Sequence, residues 1–92
     1  LDATRRRLTG PAGKEQLTAA EGALAAVFLA APGEVVDVGL LCRAIWDGAS
    51  PDAHRIVALR THVYSLRKKL ATVGASDALV TEPGRGYRLA LR

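Results

Sequence analysis

The apolar residues of this chain fall into a few clear patterns. The strongest is Ile56, Leu59, Val63, Leu66 and Leu70, at steps of 3, 4, 3 and 4. That spacing predicts one helix from about Asp52 to Thr72 with a single core stripe. At about 100° per residue, its opposite side carries His54, Ala58, Thr61, Ser65 and Lys68. His62, Tyr64, Arg67 and Lys69 lie along the flanks. Two shorter helices precede it. Thr18-Ala19-Ala20-Glu21 fits a capping box, and Leu24, Val27 and Phe28 share the face that follows. Ala31-Pro32-Gly33 stops that helix. Glu34-Val35-Val36 reads as an extended link, after which Asp37 caps a second helix through Leu40, Leu41, Ile45 and Trp46. Asp47-Gly48-Ala49-Ser50-Pro51 is a connector of helix breakers.

The ends of the chain read as strands. Arg6-Arg7-Leu8 and Glu15-Gln16-Leu17 flank the turn signal Thr9-Gly10-Pro11-Ala12-Gly13, and Leu1-Asp2 reads as the tail of a truncated strand. Beyond the loop Gly74-Ala75-Ser76-Asp77, Leu79-Val80-Thr81 and Tyr87-Arg88-Leu89 alternate around Glu82-Pro83-Gly84-Arg85-Gly86, a β-hairpin with a Gly-rich tip. The predicted order is short strands, three helices and a hairpin, an α+β domain over residues 1–92.

Composition adds limits. Ninety-two residues allow one domain, and 49% hydrophobic residues are enough for a core. No run is long enough to span a bilayer, and no signal peptide is visible. Cys42 has no cysteine to pair with, so a reducing cytoplasm is the expected location. The absence of an initiator Met suggests a piece of a longer protein. The net charge of +4 is uneven. Residues 1–52 hold five Lys/Arg against seven Asp/Glu, whereas residues 53–92 hold eight against two. A polyanion is therefore drawn to the C-terminal half.

Little points to catalysis. His54 and His62 lack partners at metal spacing, so no metal is expected. Gly84-x-Gly86 sits in a hairpin and opens no helix, so no nucleotide fingerprint is present. No nucleophile motif or paired carboxylates stand out, and neither an enzyme nor a cofactor is expected.

Three helices followed by a hairpin is the order of a winged helix-turn-helix, whose last helix enters the major groove of DNA. In that arrangement Thr61, Ser65, Lys68 and Tyr64 face bases. Arg55, Arg60, Arg67, Lys69, Arg85 and Arg88 face phosphates. A winged-helix module that binds a protein instead is the rival reading.

The residues also resemble a family. Leu17-Thr18-Ala19-Ala20-Glu21, Pro32-Gly33-Glu34-Val35-Val36, Leu40-Leu41 with Ile45-Trp46, His62 to Leu70 and Val80 to Leu89 stand in the order of the OmpR/PhoB-type DNA-binding domain. The resemblance implies a strand platform, three helices and a wing. It implies transcription regulation as the C-terminal effector of a bacterial two-component response regulator. It also implies direct-repeat DNA, a monomer that dimerises head-to-tail on DNA, and contact with RNA polymerase through residues 47–55. His62, Tyr64, Ser65 and Arg67 match DNA-contacting positions on the recognition helix, and Thr81 matches one on a wing strand. Trp46 matches a tryptophan near the phosphate backbone. Two departures stand out. Val57-Ala58-Leu59-Arg60 aligns with a stretch that usually reads Arg-Thr-Val-Asp. The wing has Glu82-Pro83-Gly84 in place of Val-Arg-Gly, leaving Arg85 as its cation and Glu82 to repel phosphate. The wording also looks like that of SARP-type regulators, which carry this domain at their N-terminus.

Overall fold

The computed structural model describes residues 1–90. Arg92, counted in the basic excess, lies outside them. Three short strands open the chain: β1 (Asp2–Thr4), β2 (Arg7–Gly10) and β3 (Gly13–Gln16), antiparallel in that order. The sequence reading placed Arg6 in a strand. Instead Arg5 and Arg6 form the β1–β2 turn, at φ 52° and 58°. A two-residue hairpin needs that left-handed pair to match the strand twist, normally supplied by Asn or Gly. Two arginines give no such signal.

Helix α1 (Ala19–Ala30) begins at the anticipated capping box. The Thr18 hydroxyl accepts the Glu21 N–H at 3.2 Å, and the Glu21 carboxylate accepts the Thr18 N–H at 2.7 Å. Strand β4 (Val35–Val36) leads into α2 (Val38–Ile45), capped by the Asp37 carboxylate on the Leu40 N–H at 2.9 Å. Helix α3 (Ala53–Thr72) is followed by the hairpin β5 (Leu79–Glu82) and β6 (Gly86–Leu89). The extended link turns out to be a strand. Val35 and Val36 pair with Arg88 and Tyr87, giving a second sheet ordered β4-β6-β5. A two-residue strand lacks the length for alternation, so only its partner reveals it.

This sheet makes a glycine obligatory. At Gly86, φ is +146°, and a Cβ there would run into the Val36 carbonyl and press the Asp37 Cα at 2.9 Å. The wing can cross the start of α2 only with no side chain at that point.

The core is shared by all three helices and both sheets. Leu8, Leu17, Leu24, Phe28, Leu41, Leu59, Val63, Leu66 and Val73 are almost completely shielded. Ile56, expected on the same stripe, is only half-buried. It lies where α3 runs out past the core and lines an open groove beside the wing.

Lys69, expected to face a phosphate, is instead engaged inside the fold. Its Nζ donates to the Glu21 carboxylate and to the Gln16 carbonyl, each at 2.6 Å. Glu21 is 2% exposed, the one charged residue among the buried ones described. Burial pushes its carboxyl up, but hydrogen bonds from Lys69 and Thr18 and the Lys69 charge outweigh this and hold it below its ordinary 4.5. The lysine sits about one helical step from Leu70 and leans to the platform side, not to solvent.

The folded chain binds fewer protons at Glu21 than the unfolded chain does, so this contribution is complete above pH 4.5 and drains away on acidification below it. Glu21→Gln should flatten the acid limb of a Tm-against-pH curve, and Lys69→Met, which strands a buried carboxylate, should cost about 3 kcal/mol in urea unfolding. Gly86→Ala should destabilise the fold more than Gly84→Ala, although both glycines have positive φ, because only Gly86 abuts a backbone.

Candidate nucleic-acid interface

Helix α3 presents one side to solvent between two walls. One wall is α2, where Trp46 closes the helix and its ring tilts against His62 at 6.1 Å between centroids. Both residues are half-buried. The other wall is the wing. Arg67 donates its Nε to the Leu79 carbonyl at 3.1 Å and an Nη to the Thr81 hydroxyl, and its guanidinium lies 5.8 Å from the centre of the Tyr87 ring. Arg67 and Thr81 thus strap α3 to the wing, and much of the guanidinium's hydrogen-bonding capacity goes into that strap.

Between these walls the exposed residues of α3 are Val57, Arg60, Thr61, Tyr64 and Lys68, with His54 nearer the helix start. Ala58 and Ser65, expected near the centre of this side, are half-buried on the α2 flank. The outward face is therefore rotated toward the wing by about 60°. Neighbouring helices, not the core stripe alone, decide which residues are outermost.

Val57 was not singled out as a site residue, yet it is 62% exposed in the middle of this face. Its separation of seven from the exposed Tyr64, off the core stripe, was the available signal. Lys68 places its Nζ 5.6 Å from the centre of the Tyr64 ring. The Thr61 hydroxyl turns back to the Val57 carbonyl at 3.4 Å.

The cations divide into engaged and open ones. Arg55 grips the start of α3, donating to the Ser50 carbonyl at 3.1 Å and the Asp52 carboxylate at 3.0 Å. The Arg55 backbone N–H, ahead of the Arg55 charge, holds the Asp52 carboxyl below its ordinary value. Arg88 lies 3.0 Å from the Glu82 carboxylate across the wing. That pair corrects two expectations: Arg88 is occupied, and the repulsive charge of Glu82 is largely neutralised. Arg60 and Arg85 line the groove between α3 and the wing. Arg85 rides the exposed tip, where its N–H closes the turn onto the Glu82 carbonyl at 3.0 Å.

Cys42 is fully buried, and burial pushes its thiol up from 9.0. Among the described residues, no group of three His, Cys, Asp or Glu is placed to hold a metal ion, and no helix is long and apolar enough to cross a membrane.

A third helix with an outward face between α2 and a hairpin wing defines the winged helix-turn-helix class. The chain belongs to the family "Transcriptional regulatory protein, C terminal", the OmpR/PhoB-type DNA-binding domain, whose model matches residues 13–89. It is a DNA-binding domain of transcription regulation, and the family is not one of enzymes. The transcriptional regulatory protein CutR of Streptomyces coelicolor is 34% identical over 89 residues, covering 97% of this chain and 39% of that protein. CutR of Streptomyces lividans matches to the same extent. The chain thus spans 39% of the length of these relatives. Among solved structures, the C-terminal domain of the lantibiotic response regulator NsrR superposes with a TM-score of 0.78 at 27% identity, covering 96% of this chain and 88% of that one. The response regulator AdeR DNA-binding domain, solved with an intercistronic region, gives 0.73 at 22% identity over 99% and 100% of the two chains, a likeness of fold.

The Arg67 strap generates a prediction. Arg67→Ala should destabilise the chain by about 1–3 kcal/mol and speed amide exchange in β5, because the Leu79 carbonyl and Thr81 hydroxyl lose their donor. Arg67→Lys should not restore it, since one ammonium lacks the fork that spans both acceptors.

Proposed function

We propose that this domain binds specific double-stranded DNA sequences as the effector of a bacterial response regulator, with α3 in the major groove and the wing tip on an adjacent strand. The carrying observation is the outward face of α3, held between α2 and the wing, with Arg60, Lys68 and Arg85 open around it. An α-helix fits that groove, and exposed cations meet the phosphates on its rims. Bases are read by Tyr64, Lys68 and Thr61, with Ser65 and His62 at the α2 edge. Thr81 acts mainly through Arg67, and Trp46 backs the α2 wall beside the phosphates.

The likeness to NsrR, a response regulator, supports the effector role over that of a SARP-type activator. The assembly on DNA is a head-to-tail dimer on direct repeats, formed from monomers. RNA polymerase is met through residues 47–55, the connector after α2 and the first turn of α3, bent by the left-handed Asp47 and Gly48 at φ 49° and 84°. The setting is the bacterial cytoplasm, as for any regulator that works on the chromosome.

The salt dependence tests the electrostatics. Six phosphate-facing cations would give a slope of log K against log salt of roughly −5. Lys69, Arg88 and Arg55 are withdrawn by their carboxylates and Arg67 by the wing, which leaves Arg60 and Arg85. A slope of about −2 per domain is expected. Duplexes selected from a random pool should show it in a salt titration. Arg85→Ala should weaken all sequences alike, whereas Lys68→Ala should change which sequence is preferred. No enrichment of any duplex, or a flat salt response, would reject the proposal.

A further inference from the structure

Four large hydrophobic residues are exposed among those described: Leu1, Leu40, Val57 and Tyr64. Leu1 is the first residue and Leu40 lies in the first turn of α2. The other two share the outward face of α3, 62% and 56% exposed, two helical turns apart. With Thr61 and Lys68 they make a strip at i, i+4, i+7 and i+11 that stays within about 60° of arc. This strip lies on the far side of α3 from Leu59, Val63, Leu66 and Leu70, so it takes no part in the core.

We infer that Val57 and Tyr64 form an apolar reading patch for the 5-methyl groups of thymine in the major groove. The inference rests on the DNA-binding reading and assigns it a base preference. Thymine is the one base that presents a methyl group there, while cytosine presents an amino donor at the same edge. An apolar surface gains contact with that methyl, which cytosine lacks.

The local geometry fits that use. The Thr61 hydroxyl is turned to the Val57 carbonyl, so the polar atom nearest Val57 on the strip is already partnered. Lys68 sits over the Tyr64 ring, fixing the aromatic surface and placing a cation at the end of the patch. Arg60 and Arg85, on the wing side, supply the charge that draws a duplex to this face. Among the acidic groups, Asp52 and Glu82 are engaged by Arg55 and Arg88, and Asp37 caps α2. Cationic flanks around an apolar centre suit a polyanion with apolar groups in its groove.

The test uses a duplex that the 92-residue chain selects from a random pool. Each thymine is replaced in turn by deoxyuridine, which removes the 5-methyl and leaves base pairing intact. Affinity should fall about fourfold at one or more positions, the weight of one buried methyl group. Val57→Ala should abolish that sensitivity at one position, and Tyr64→Ala should abolish it at another or reduce it at the same one. Both side chains lie outside the core, and circular dichroism with thermal unfolding should confirm that the variants fold. If every deoxyuridine duplex binds as tightly as its parent, or if the losses persist in both variants, the patch does not read methyl groups, although the DNA-binding proposal stands. If no duplex is selected at all, the DNA-binding proposal itself fails, and a protein-binding role for the patch takes its place.

Discussion

Everything on the outward side of this domain depends on how α3 is held on its inward side, and Lys69 is central to that hold. Its ammonium joins the Gln16 carbonyl at the end of β3 to the Glu21 carboxylate in the first turn of α1. The same carboxylate caps α1 through Thr18. One lysine therefore ties the platform, the first helix and the last helix together. A buried ion pair adds little net energy over an apolar substitute, but it is strongly directional. The core stripe alone lets a helix roll. A charge that must meet two fixed oxygens allows one rotation, and that rotation turns Val57, Thr61, Tyr64 and Lys68 outward.

The outer surface is framed by two further contacts on opposite flanks. His62 leans on Trp46 of α2, and Arg67 reaches the Leu79 carbonyl and Thr81 of β5. Arg67 is the more instructive. A guanidinium beside an outward helix face suggests a phosphate ligand. Here it works chiefly as a brace, which joins α3 to the wing. Arg88 and Glu82 repeat the theme across the hairpin. Several of the basic residues are thus structural, and a simple count of positive charge overstates what is left for a partner.

Much of this was legible in the chain itself. The capping box at Thr18, the Asp37 cap, the stripe from Leu59 to Leu70 and the Gly-rich wing are local signals, set by side chains within a few residues of one another. They gave the order of elements, and the family resemblance rested on the same segments. The Arg5–Arg6 turn and strand β4 were not legible. The first breaks the usual residue preference for a left-handed pair, and the second exists only because β6 lies beside it.

The amino-acid order by itself determined the three helices, the hairpin and the concentration of positive charge after residue 52, because periodicity, caps and charge are properties of neighbouring positions. Only the tertiary structure decided which cations remain open and which side of α3 faces out. Lys69 finds Glu21 across 48 residues of sequence, and Arg67 finds Thr81 across 14. No local pattern encodes such meetings, since they arise when separate elements pack and a charge takes the nearest acceptor that burial has left unsatisfied.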